Sequence, residues 1–295
     1  MAINLRWKAS LSASCLHAAV CLDQDRPAAD DQLAKLLRPA ATELIREIGV
    51  CRFSTERLLP QLTSLSAEFE NNRQLVEAAV GKLYGPDAAS PTVLTRLAGC
   101  VTDLEAALLR ARPQIVEELA VRGRPICEQW EARGPGLLQR AAQLSDESFI
   151  VSAADVTLVA PFVGGHGLAH IMENRVTLES VLANPHADLP EVLRLAWLVA
   201  QLNFDLPRYS ELLPRDRLAQ LASLATIPLV LSAAETVELA AYHPASLDRA
   251  LVCWLGDGSQ TPALAERLHR WWEAHLAGES AWHVALAALD AMLDG

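Results

Sequence analysis

Between Asp188 and Asp205 the chain reads DLPEVLRLAWLVAQLNFD, and from Val192 to Leu202 only Arg194 and Gln201 interrupt an apolar run. A helix that is apolar on nearly every side has to be enclosed, so the rest of the chain must supply elements that wrap it. Asp188 precedes Glu191 by three residues, which predicts a capping box with Pro190 tolerated in the first turn. At about 100° per residue, Arg194, Gln201 and Asp205 share a narrow polar stripe, with Glu191 to one side and Trp197 and Leu198 flanking it. The stripe either pairs with another element or faces a water-lined groove. The second reading makes Glu191, Arg194, Trp197, Gln201 and Asp205 a candidate binding cleft.

A chain of 295 residues, 51% hydrophobic and 21% charged, is long and apolar enough for a sizeable core. Its formal net charge of -11 argues against a general nucleic-acid binder, which needs excess cations to displace counterions from phosphates. Cys15, Cys21, Cys51, Cys100, Cys127 and Cys253 form no CxxC pair and read as buried thiols of a reducing compartment. The run LSASCLHAAVCL after Arg6 and Lys8 faintly resembles a signal peptide. Ser, Cys and His interrupt it, and no small-residue cleavage site stands out. No apolar run reads as long enough to span a bilayer, so a soluble, cytoplasmic protein is expected.

Helical spacing of apolar residues predicts helices over 30–48, over 54–83 with a bend or split near Pro60, over 91–110, over 113–121 and over 125–132. Gly134, Pro135 and Gly136 predict a tight turn or hinge. DVTLVAPFV, residues 155–163, reads as a short strand covered on both faces, and 175–182 alternates Val176 and Leu178 with Arg175, Thr177 and Glu179 as a second. The two are expected as a hairpin or as adjacent edge strands over the central helix. Helices follow over about 215–225, 229–241, 246–255, 262–276 and 280–293. The expected fold is mainly α (α+β): a helical region over 1–133, a small α+β unit over 134–206 and a helical region over 207–295, packed into one compact structure.

Two clusters carry candidate chemistry. In GGHGLAHIMENRVTLE, His166 and His170 are four apart, and Glu173 or Glu179 would add a carboxylate. Zinc needs such donors converging at about 2.0–2.2 Å. The glycines at 164, 165 and 167 oppose a helix through His166, and HxxxH is far less specific than HExxH. The second is a strand carrying NxVxxE, at Asn174, Val176 and Glu179, followed by a loop and the helix LPEVLRLAWLVAQL. This resembles the edge-strand and active-helix unit of zincin metallopeptidases, whose helix carries two zinc-binding His and a Glu base. The five motif positions fall on Trp197, Leu198, Val199, Ala200 and Gln201, so the resemblance implies an inactive copy without the usual zinc. EARGPGLL and LPEVLRLAW are also similar to stretches of an uncharacterised bacterial protein family, a likeness that implies no activity.

No GxSxG elbow, Walker loop or dinucleotide fingerprint is present. The expected function is a catalytically degenerate zincin-like protein without cofactor that binds a peptide or protein partner, and neither nucleic acid nor membrane. One alternative is a metal-dependent hydrolase, with zinc held by His166, His170 and Glu173 or Glu179. The other is a purely structural helical scaffold.

Overall fold

The apolar run folds as helix α7 (Glu191–Val199), every residue of it buried. The computed structural model of the chain describes residues 3–294 apart from 183, 185, 212, 214–216, 257–260 and 279. The architecture is mainly helical with one four-stranded sheet.

The N-terminal residues form strand β1 (Asn4–Ala9) and helix α1 (Leu11–Asp23), whose middle is wholly buried. Four helices follow: α2 (Asp31–Val50), α3 (Thr55–Leu65), α4 (Asn72–Tyr84) and α5 (Pro91–Ala111). Their starts follow local chemistry. Asp30, Asn71 and Ser90 each accept a hydrogen bond from first-turn amides, and Pro91 opens α5 where no amide is needed. The expected break near Pro60 is corrected: Pro60 lies inside α3, and the chain leaves the helix only after Leu65, restarting at the Asn71 cap. The inward stripes of these helices, including Leu37, Leu44, Leu62, Leu75 and Leu104, build one core with α1.

Helix α6 (Ile115–Leu144) overturns two expectations. Residues 133–138 are helix rather than a turn, so the boundary drawn between 133 and 134 falls inside one rod. The expected helices over 113–121 and 125–132 are its first half. Pro125 and Pro135 are carried within it, and Gly134 gives the Trp130 ring room, since an added Cβ would lie 2.4 Å from that ring. A glycine here serves packing, not a bend.

Strands β2 (Ala153–Val159), β3 (Gly167–His170) and β4 (Arg175–Glu179) complete the sheet in the order β1-β2-β4-β3. The two expected strands are neighbours, but β2 and β4 run parallel in the centre, with Val156 opposite Val176 and Leu158 opposite Leu178. They are neither a hairpin nor edge strands. The hairpin partner of β4 is β3, drawn from the glycine-rich His segment and joined through Asn174 in the left-handed region at φ 50°. Val156, Leu158, Val176 and Leu178 share one core with α6 and α7. The opposite face, with Arg175, Thr177 and Glu179, is buried beneath the N-terminal helices: Arg175 pairs with Asp155 and Glu68 and donates to the Ser64 carbonyl.

The central helix is shorter than the expected 188–205. No capping box forms. Leu189 is pulled into the core, Asp188 pairs with Arg249, and the first amide, from Glu191, donates to Asn184 Oδ1 at 3.0 Å. After Val199 the chain continues in turns that bring Phe204 to within 5.0 Å of the Phe149 ring. Short α8 (Pro207–Ser210) precedes α9 (Leu218–Thr236), one helix through Pro228 where two were expected. The expected start at 215 lies outside the described residues. Helix α9 is long and apolar enough to cross a membrane by length and composition, which corrects the expectation that no run is; 67% of that window is buried within the fold. Helices α10 (Pro244–Ala250), α11 (Thr261–Gly278) and α12 (Trp282–Asp294) finish the chain, with a π-type turn over Leu251–Leu255.

Strand β3 meets α7 at Gly167, where an added Cβ would lie 2.6 Å from Leu198 Cδ1 and 2.8 Å from the Thr177 carbonyl oxygen. The backbone oxygen cannot move aside. Gly167→Ala is expected to destabilise the fold by about 1–3 kcal/mol, whereas Gly136→Ala, at an open helix position, should be neutral to mildly stabilising. Thermal melts of both variants check the difference, and equal midpoints would refute the close approach of β3 to α7.

Candidate functional site

At the end of β4, Glu179 is 1% exposed and accepts six hydrogen bonds. Its Oε1 receives His17 Nε2 at 2.9 Å and the amides of Phe162 and Val163 at 2.9 and 2.8 Å. Its Oε2 receives the amides of Gly164, Gly165 and His166 at 2.8, 2.7 and 3.1 Å. Five successive amides can converge only if the loop curls. Gly164 and Gly165 allow this at φ 96° and 131°, values that side chains other than glycine rarely adopt. The Arg194 guanidinium packs directly on Gly165, where an added Cβ would lie 2.5 Å from Nη1.

His17 comes from α1, with Cys21 Sγ 3.6 Å from its Nε2 one turn on. Burial would lower the pKa of His17, but the neighbouring Cys21 and Glu179 outweigh it and raise it to about 10. Burial acts against Glu179 ionisation too, yet His17 and the loop amides lower its pKa to about 2. The two form a buried imidazolium–carboxylate pair. The His166 ring lies 5.5 Å from that of His17, and burial together with the His17 charge keeps His166 well below its ordinary value.

The four expected metal ligands do not converge. His170 pairs with Thr177 Oγ1 at 2.9 Å and is held neutral, its pKa lowered to about 3 by burial and by Arg175 and His17. Glu173 turns to Gln61 at 3.1 Å and Lys82 at 2.6 Å. His166 and Glu179 are neighbours, but it is the amide of His166, not its ring, that bonds the carboxylate.

Among the described residues, a different set, His17, Cys21 and Glu179, has one ligand atom each within 4.8 Å of the others. Both Glu179 oxygens already accept three N–H groups. A cation would have to displace the His17 proton and break several of those bonds, so this donor set fits a proton rather than a metal.

The expected cleft residues also separate. Arg194 lies 3.2 Å from Glu191, and burial holds the Glu191 carboxyl above the usual carboxylate range. Trp197 stacks on Trp254 at 5.2 Å and donates to the Ser223 carbonyl at 2.8 Å. Gln201 folds back to donate to the Trp197 carbonyl at 3.1 Å, and Asp205 is exposed beyond the helix end. Of the five, Glu191 lines an opening.

That opening is a groove between α6 and the segment entering α7. A chamber of about 470 Å³ lies against Ala132, Arg133, Pro190 and Val192, and one of about 200 Å³ against Pro125, Ile126, Leu182 and Glu191; Gln129 and Asn184 line both. Sequence reasoning missed both the groove and His17. The signal for His17 was present in HAAVC, where His and Cys one helical turn apart interrupt an apolar run.

Because Glu179 titrates near 2 in the folded chain rather than 4.5, its stabilisation is complete above pH 4.5 and is lost as the pH falls toward 2. His17 titrates near 10 rather than 6.5, so its contribution is complete below pH 6.5 and is lost as the pH rises through 10. His17→Gln is therefore expected to be less stable than the parent, by an amount that is largest between pH 4.5 and 6.5 and shrinks at both extremes. Glu179→Gln, which turns an amide donor toward amide donors, should cost about 3–5 kcal/mol. Denaturant unfolding across pH checks both, and a pH-independent deficit in His17→Gln would rule out the ion pair. In comparisons with protein-family models, curated proteins and solved structures, nothing matches this chain.

Proposed function

We propose that this chain is a non-catalytic, zincin-like binding protein that recognises an extended peptide or protein segment in the groove beside the start of α7. What carries this reading is how α7 is used. The three positions where the resemblance would put zinc ligands and a base hold Trp197, Leu198 and Gln201, all engaged in packing or in bonds within the chain. Trp197 offers only a donor, already used, and Leu198 offers no ligand atom, so these residues do not fit a zinc ion.

With its middle enclosed, α7 meets open space near its first turn, where the groove combines apolar walls with a few polar groups, as ligand sites do. Two chambers that share Gln129 and Asn184 suit an extended chain better than a rigid small molecule. The net charge of -11 disfavours nucleic acid as the occupant. Six free thiols, Cys15, Cys21 and Cys100 among them buried, suit a reducing cytoplasmic setting.

Selection of random heptapeptides on the immobilised protein tests the reading. Enriched peptides are expected to bind about ten-fold more weakly to an Ala132→Arg, Leu182→Lys variant. Both substitutions lie at exposed positions, so the fold should survive them. Peptides that bind this variant as well as the parent, or metal-dependent hydrolysis of any selected peptide, would overturn the proposal.

A further inference from the structure

The sheet ends in a long strand whose outer edge is unpaired. Strand β1 stands last in the order β1-β2-β4-β3 and keeps an unbroken parallel register with β2 from Asn4 to Ala9, with no proline and no bulge. The Asn4 amide donates to the Ser152 carbonyl at 3.0 Å and the Ser10 amide to the Leu158 carbonyl at 3.4 Å. Alternate residues of a parallel strand bond to the same side, so Asn4, Arg6 and Lys8 face β2 and the N–H and C=O groups of Leu5, Trp7 and Ala9 point away from it. Among the described residues, none bonds these outward groups. Such an edge is a template for another strand, and proteins commonly shorten, bend or cover theirs. The opposite edge is shortened in this way: β3 has four residues and passes directly into a helical turn.

The side chains of β1 divide by face. Leu5 and Trp7 lean on the core shared by α6 and α7, and Arg6 and Lys8 stand exposed on the other face. Arg6 touches Asp155 through Nε at 2.7 Å with 70% of its side chain still exposed, and Lys8 Nζ reaches the Ala67 carbonyl at 3.5 Å rather than a carboxylate. Arg6, Lys8 and Arg175 stand here against Asp155 and Glu68, three cations to two carboxylates in a chain whose net charge is -11.

We propose that the free edge of β1 is an interaction surface that adds an extended acidic segment of a partner protein to the sheet. The segment's main chain pairs with Leu5, Trp7 and Ala9, its carboxylates lie beside Arg6 and Lys8, and its alternate apolar side chains extend the Leu5 and Trp7 face. This surface is separate from the groove beside α7 and does not depend on the reading given for it. A second copy of this chain does not fit. Antiparallel pairing of two β1 edges about a two-fold axis places Arg6 opposite Lys8 when centred on Trp7, and Arg6 opposite Arg6 when centred there, and like charges directly opposite are destabilising. A basic strand meets the same repulsion. Cations on an edge can also serve to keep every strand away, and that role predicts no binding.

The experiment follows the backbone amide signals of the isotope-labelled full chain, free of any N-terminal tag, during titration at low salt with an acetylated Glu-Val-Glu-Thr-Glu-Val-Glu amide. The Leu5, Trp7 and Ala9 amides are expected to shift saturably and to exchange with solvent more slowly, because they gain acceptors. A peptide with Lys in place of Glu should bind about ten-fold more weakly, and added salt should weaken the acidic peptide. A peptide of the same composition with its Glu residues placed together keeps the charge and loses the alternation, so it should also bind about ten-fold more weakly. Ala9→Pro removes one outward N–H and no bond to β2, and should weaken the acidic peptide about five-fold with the β2 amide signals unchanged. Lys8→Glu, at an exposed position, should cancel the preference for the acidic peptide. Unshifted edge amides in the folded parent, equal affinity for the acidic, basic and regrouped peptides, or a preference retained in Lys8→Glu would each overturn the proposal. The Ala132→Arg, Leu182→Lys variant should bind the acidic peptide as the parent does. Loss of binding there would assign the peptide to the groove and remove the edge site, whereas loss of the edge site alone leaves the groove reading standing.

Discussion

The structure depends most on one carboxylate. Glu179 lies where the strands end, and by accepting five loop amides and one imidazole N–H it ties β4, residues 162–166 and α1 to a single point. Removing an ionised carboxylate from water costs several kcal/mol, and only such a saturated set of charge-assisted hydrogen bonds offsets that cost. The geometry it imposes is specific. The loop must curl through Gly164 and Gly165, Phe162 is delivered into the N-terminal core, and the bare face of Gly165 becomes the surface on which Arg194 of α7 rests. The position of α7 is thus coupled to α1 through a loop that touches both.

The same logic runs down the polar face of the sheet. An alternating strand usually turns its polar residues to water. Here the N-terminal helices cover that face, so Arg175 and Glu179 become internal ties to α3 and α1, and Thr177 pairs with His170 on the neighbouring strand. Apolar surfaces alone would let a helical layer slide over a sheet. Directional bonds to the Ser64 carbonyl and to His17 fix its register instead.

How much of this the sequence disclosed depends on the range of the interaction. The enclosure of Val192–Val199, the helix that starts at Pro91, and the alternation of Val176 and Leu178 are local patterns, and they were legible. The run of α6 through Gly134-Pro135-Gly136 was not, because its reason lies in tertiary packing: Gly134 accommodates Trp130 within the rod. The capping box at Asp188 failed for a similar reason, since Arg249, 61 residues away, engages that carboxylate. For the site, Glu179, His166 and His170 stood out by residue type, but His17 is 162 positions from its partner and sits in a run that reads faintly as a signal peptide. The principal donors to Glu179 are backbone amides, which no side-chain motif announces.

A helix enclosed along its whole length can present chemistry only at its ends. Along α7, filling the middle with Trp197 and Leu198 strengthens the core, through the Trp254 stack and the close approach of β3, and removes the space an ion or a substrate would need. At its C-terminal end Gln201 is folded back on Trp197 and Phe204 turns into an aromatic cluster. At its N-terminal end the first amide is satisfied by Asn184, and Pro190 and Val192 line the larger chamber. The packing around Trp197 and Leu198 fills the middle of α7, and the two chambers lie beside its first turn.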